Sequence, residues 1–215
     1  MHETHRSDHV RSVDDIDQTE PPSDPTEPSS DPTEPPSDPT ERPTEPIEHL
    51  ADPDPIAERE DVHTSSETVI HERRDHAGTD VDGHAIVGVT NDEGKLLVLI
   101  EAGRGIAILP HGTVEAGDDW ATVARQGVEG LTGVSVAIDA TVAVRRVTHV
   151  VDGSEHTTTH RVLFSGSADG GEIRECKRSA DAGDDGWEAR WVEALPDGVS
   201  PPEGGAGNDL EVFLR

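Results

Sequence analysis

Leu109-Pro-His-Gly-Thr-Val-Glu-Ala-Gly-Asp118, followed without a break by Asp119-Trp-Ala-Thr-Val-Ala-Arg-Gln-Gly-Val-Glu-Gly-Leu-Thr-Gly-Val134, reads as loop, helix and loop. Trp120, Val123, Ala124, Val128 and Leu131 recur at helical spacing, which predicts a helix over Trp120–Leu131 with one apolar face. Asp118 or Asp119 can accept a hydrogen bond from the first-turn amides and cap its start. Gly133 suits the left-handed position that closes a helix. Two glycines inside the helix, Gly127 and Gly130, each cost about 1 kcal/mol relative to alanine.

Strand signals surround this helix. Ala85–Val89 and Lys95–Ile100 flank the turn Asn91-Asp-Glu-Gly94 and predict a hairpin. Ile106–Leu109 is a short strand stopped by Pro110. Downstream, Ser135–Ile138, Thr141–His149, Thr157–Ser165 and Glu188–Val192 are strand candidates. A helix is expected over Asn208–Arg215, with Asn208 or Asp209 as its cap. The pattern predicts an α/β sandwich built on a mixed sheet.

This loop–helix–loop resembles the signature of the Nudix family, G-x5-E-x7-R-E-U-x-E-E-x-G-U, where U is a bulky aliphatic residue. Gly112 falls on the first glycine, Asp118 on the first acid, Val128 on the inner aliphatic, and Gly133 and Val134 on the closing pair. The register from Gly112 to Val134 holds without a gap, and the resemblance extends over roughly residues 80–200. It implies a Nudix-type α/β/α sandwich. It also implies hydrolysis of a nucleoside diphosphate linked to another group, with Mg²⁺ or Mn²⁺ as cofactor.

The chain departs from the signature where the chemistry lies. Mg²⁺ needs several hard oxygen ligands, and it bridges the pyrophosphate while activating a water. The three helix glutamates of the family fall on Gly127, Gly130 and Leu131, and its arginine on Gln126. Arg125 is one residue early, a rotation of about 100° around the helix. Glu129 lies about 200° from position 127 and about 100° from position 130, so it should face elsewhere. Glu115 and Asp118 remain as candidate catalytic acids, and Asp118 and Asp119 as weak metal ligands. Hydrolysis is therefore expected to be weak or lost. A binding or regulatory Nudix module without catalysis is the alternative to a divergent hydrolase.

Candidate ligand contacts are His111, Gly112, Arg145 and Arg146, with Arg161 nearby in sequence pattern. Arginine forks match phosphate oxygens well. Trp120, Trp187 and Trp191 can stack on a base or fill the core. If Val151 pairs with His156 across a four-residue turn, His149 faces Thr158 and Val147 faces His160, and the three histidines do not converge. Cys176 stands among cations that can lower a thiol pKa, without a fixed histidine partner.

Residues 1–57 form a second compositional region. Three seven-residue repeats, PPSDPTE from Pro21, PSSDPTE from Pro28 and PPSDPTE from Pro35, carry almost nothing to bury. Of 16 prolines in the chain, 12 precede residue 56. Proline removes amide donors and disfavours helix before it, so a disordered acidic tail is expected over 1–57, ahead of a domain over 58–215. His2, His5 and His9 are too loosely spaced for a strong metal signal.

The chain of 215 residues has 46 acidic and 17 basic side chains, a net charge of −29. The tail contributes −13 of this, from 16 acids and three arginines, which leaves −16 on the domain. Only Lys95 and Lys177 are lysines. High negative charge with few lysines suits solubility in concentrated salt, where self-repulsion is screened. It argues against a nucleic-acid polymer as partner, because phosphates would be repelled. No apolar run nears the roughly 18 residues of a membrane span, and the N-terminus lacks a secretory pattern. The cytoplasm is the expected compartment, and a small nucleoside diphosphate derivative the expected partner.

Overall fold

Asp119 opens the central helix. Its carboxylate accepts from the Thr122 amide at 2.8 Å, and Gly133 closes the far end at φ 80°. The computed structural model places this helix, α2, at Trp120–Thr132. It describes residues 46–75, 78–174 and 186–214. Residues 1–45, with the repeats and His2, His5 and His9, lie outside the described residues, as does Cys176.

Ahead of α2 come α1 (Asp54–Ala57), β1 (His63–His71), β2 (Gly83–Thr90), β3 (Leu96–Glu101), β4 (Ile106–Ile108) and β5 (His111–Val114). After it come β6 (Val134–Val151), β7 (Ser154–Gly171), β8 (Trp187–Val192) and α3 (Gly205–Glu211). The strands form one sheet in the order β1-β6-β7-β2-β3-β4, with β5 added to β2 and β8 to β3. β1 runs parallel to β6 and β2 parallel to β7, and the other pairs are antiparallel.

Strand alternation divides the core between the two faces. Ala85, Val87, Val89, Leu97, Leu99, Val162 and Phe164 face one way and meet Trp120, Ala121, Ala124 and Val128 of α2. Ile86, Leu96, Val98, Ile100 and Leu163 face the other way and meet Leu210 of α3. The result is an α/β fold with a helix on each side of a mixed sheet. Fully burying a side chain such as Phe164 contributes about 1.5–3 kcal/mol.

Three readings are corrected. The two strand candidates at 135–149 are one strand, β6, which bends at register shifts near Ile138/Ala140 and Thr141/Ala143 instead of ending. The β6–β7 turn has two residues, not four: Val151 pairs with Ser154 across Asp152-Gly153, both at positive φ. A further shift at His149/Val150 then sets His149 opposite Thr157 and Arg146 opposite His160. The last helix starts at Gly205 behind Gly204, and Asp209 lies inside it, not at its cap. The Asp209 carboxylate is buried and holds the helix to the sheet.

Residues 46–57, which composition groups with the tail, are built against the domain. Leu50 is buried, and Ile47 packs on the same core. The Ile47 amide donates to the Ile138 carbonyl at 2.7 Å, and the Trp120 amide donates to the Leu50 carbonyl at 2.8 Å. Ile56 and Ala57 pack on the same core, and the open first turn of α2 offers the Trp120 amide to the segment.

Candidate functional site

The loop that precedes α2 is shaped by its own carboxylates. Asp118 accepts from the Glu115 amide at 3.0 Å, and its own amide donates to the Glu115 carbonyl at 3.1 Å. This closes a turn with Gly117 at φ 86°. Asp119 spends both oxygens: one caps α2, and the other accepts from the Leu50 amide at 2.7 Å. His49 adds a contact at 3.7 Å. Partial burial works to raise the Asp119 pKa, but the hydrogen bonds from Thr122 and Leu50 and the charge of His49 outweigh it. The carboxyl is held below its usual range.

Position 127 is closed by packing. A Cβ on Gly127 would lie 2.7 Å from the Gly112 amide nitrogen and from the His111 carbonyl. A Cβ on Gly112 would in turn meet Val123 at 2.7 Å. Helix α2 and strand β5 touch backbone to backbone through this glycine pair. Gly130, by contrast, faces open space, and Leu131 leans on the core. Glu129 is exposed. Arg125 reaches the 46–57 segment, donating to the carbonyls of Ile47 at 2.9 Å and Glu48 at 2.6 Å.

Glu115 and Asp118 are exposed and Asp119 is occupied. Among the described residues, no group of three or more His, Cys, Asp or Glu side chains comes together to hold an ion. The residues around the signature loop therefore do not fit the oxygen cage that Mg²⁺ takes.

Two cavities lie on the opposite face of the sheet, beneath α3. His84 and His111 stand edge to face with ring centres 6.0 Å apart. They border a cavity of about 230 Å³ together with Ile86, Leu109, Arg161 and Asp209. His111 Nδ1 also bonds the Leu109 carbonyl at 3.1 Å. A second cavity, of about 240 Å³, shares His84 and Arg161 and is bordered by His71, His149 and Thr159. There His71 and His149 share a hydrogen bond of 2.8 Å, and His149 bonds Thr159 at 2.9 Å.

The structure brings together His111 and Arg161, and it separates Arg145 from Arg146. Neighbours on a strand face opposite sides. Arg145 points to α3, where it donates to Asp209 at 2.9 Å and to the Gly205 carbonyl at 3.3 Å. Arg161 donates to the other Asp209 oxygen through Nε at 2.9 Å and also through Nη2. Arg146 is exposed on the face of α2. Trp120 is buried against His160, and Trp187 and Trp191 lean on the core. Sequence reasoning missed Asp209 and His84 as cavity residues. An acid beside Leu210 on an apolar helix face was the available signal for the first.

No protein-family model and no curated protein matches the chain. Among solved structures it is similar to an ADP-ribose pyrophosphatase from Streptococcus suis, 15% identical, covering 61% of this chain and 87% of that one, with a TM-score of 0.42. It is similar to a Nudix hydrolase from Nitrosomonas europaea, 23% identical, covering 52% and 72% respectively, with a TM-score of 0.37. It is also similar to the mutator MutT protein from Bacillus halodurans, 19% identical, covering 61% and 79%, with a TM-score of 0.39. Among the described residues, no helix is long and apolar enough to cross a membrane.

Proposed function

We propose that the chain is a Nudix-type domain that binds a nucleoside diphosphate derivative without cleaving it by the family's magnesium mechanism. The observation that carries this reading is the contact of Gly127 with the Gly112 backbone. It leaves no room for a side chain at the first of the three glutamate positions. Gly130 and Leu131 supply no carboxylate at the other two. The cleft of His84, His111 and Arg161 supports the binding half of the reading. Its two imidazoles suit phosphate oxygens, and Ile86 and Leu109 suit the apolar face of a base or sugar, while the Arg161 guanidinium there is engaged by Asp209.

The test is a panel of nucleoside diphosphate derivatives in high salt, with and without Mg²⁺ or Mn²⁺. Thermal shift is expected to report binding that does not depend on the metal, because a ligand that binds the folded state raises its midpoint. Pyrophosphate-bond cleavage is expected to be at background. Robust turnover that disappears in Asp118→Asn or Glu115→Gln would instead establish a hydrolase that recruits loop acids.

A further inference from the structure

The sheet ends in β1, which among the described residues pairs only with β6. Edge strands are commonly blunted by shortness, lysine, proline, a bulge or charged side chains, because unpaired amides and carbonyls invite another strand. Strand β4 is three residues long, and its Ala107 amide donates to the Ser200 carbonyl at 3.1 Å. Strand β8 carries an ion pair between Arg190 and Glu188. The outer edge of β1 has no such guard. Its nine residues, HTSSETVIH, follow β6 from His63 to His71 without a register shift, and they include neither lysine nor proline.

The sheet face beside this edge is short of acid. Register and alternation set Ser66, Thr68 and Ile70 of β1 beside Arg146, Thr148 and Val150 of β6, on the side that carries α2. In a chain with 46 acids among 215 residues, these six positions hold none. Among the described residues, Ile70 and Ile173 are the exposed large apolar side chains, and Ile70 is 79% exposed. The neighbouring acids lie off this strip. Glu67 is on the opposite face, where it borders a cavity with Arg161. Glu155 is on β7, one strand further in, and accepts from Thr158 at 3.2 Å. Asp61 and Asp75, beyond the two ends of β1, pair with Arg59 and Arg73, and Glu72 follows the last residue of the strand.

We propose that β1 is a self-association edge, at which two copies of the chain pair their β1 strands antiparallel across a two-fold axis and continue one sheet through both. Two copies at a net charge of −29 repel each other, so they meet best where their own acids are fewest. A basic partner would instead seek the acid-rich remainder of the surface. The register is limited, because opposed residues share a face. An axis at Glu67 sets two carboxylates directly opposite, which destabilises the pair. An axis at Thr68 avoids this. Thr68 then faces Thr68 of the second copy, Ile70 faces Ser66, Glu67 faces Val69 and His71 faces Ser65. Each Ile70 leaves water against Ser66 and Thr68 of the other copy, and concentrated salt screens the remaining repulsion.

Sedimentation of the full chain in high salt, over a series of concentrations, tests the proposal. A reversible dimer of twice the 23.0 kDa chain is expected. Thr68→Lys sets two lysines face to face on the axis, and Ile70→Lys removes the apolar contact. Each change counts twice across a two-fold, so either is expected to weaken dimerisation about tenfold or more. Glu129→Lys, at an exposed position of α2, controls for added charge and is expected not to weaken it. Hydrogen exchange of the β1 amides is expected to slow about tenfold or more from the dilute to the dimeric chain, while the α2 amides stay unchanged. A chain that is monomeric at every concentration overturns the proposal, including one whose β1 edge is taken by a different protein. A dimer that keeps its affinity in both β1 variants, or that leaves β1 exchange unchanged, overturns it too. Thr68 and Ile70 are exposed, so both variants are expected to fold. Should one fail to, the exchange measurement on the unaltered chain decides.

Discussion

Gly127 of α2 lies so close to Gly112 of β5 that a Cβ on the first would stand 2.7 Å from the amide nitrogen of the second. The contact sets how near the helix sits to the sheet. It also turns a helix-weakening residue into a packing requirement.

Gly127→Ala should therefore destabilise the domain, although alanine is the better helix former. The gain in propensity is about 1 kcal/mol, whereas overpacking against backbone costs about 1–3 kcal/mol. Gly130→Ala is the matched control, because open space surrounds it. It should stabilise by up to about 1 kcal/mol. Urea denaturation of both variants checks the opposite signs.

Asp119→Ala should cost about 1–2 kcal/mol, the loss of a helix cap, and should loosen the 46–57 segment by orphaning the Leu50 amide. The effect depends on pH with a definite sign. The folded pKa of Asp119 lies below its unfolded value of about 3.9. A depressed folded pKa contributes stability that is present above the unfolded pKa and is lost as pH falls through the folded one. The stability gap between the natural chain and Asp119→Ala should be constant near neutrality and shrink in acid below about pH 4. Denaturation at a series of pH values measures it.

Arg161→Ala should cost about 1.5–3 kcal/mol, because the buried Asp209 carboxylate loses its hydrogen bonds from Arg161 while keeping Arg145. Arg146→Ala should change stability by less than about 0.5 kcal/mol, as expected of an exposed side chain. A sequence-level view of phosphate-binding arginines treats 145 and 146 as a pair. Chemical denaturation of the two variants separates them.

Gly153→Ala should destabilise the β6–β7 hairpin by about 1 kcal/mol, because the turn needs φ near 75° there. Asp152→Asn should be neutral or slightly stabilising, since asparagine before glycine is the favoured pair for this turn. Thermal unfolding distinguishes the two.

The sequence by itself determined the local elements. Helical spacing from Trp120, a capping acid and Gly133 placed α2 within one residue, because cap chemistry and the 3.6-residue period act over short range. Apolar runs bounded by turn residues located β2, β3 and the centre of β7, because turn chemistry also acts over short range. It also showed that three positions expected to carry glutamate hold glycine, glycine and leucine. Only the tertiary structure decided what those residues do instead. Whether Gly127 is a loss or a necessity depends on a strand fifteen residues earlier in the chain. Whether Asp119 caps a helix or holds a metal depends on the Leu50 amide. Asp209 reads as a helix cap until Arg145 and Arg161 arrive from two other strands and bury it. Such contacts span tens of residues, and burial and charge pairing across them leave no periodic trace in the sequence.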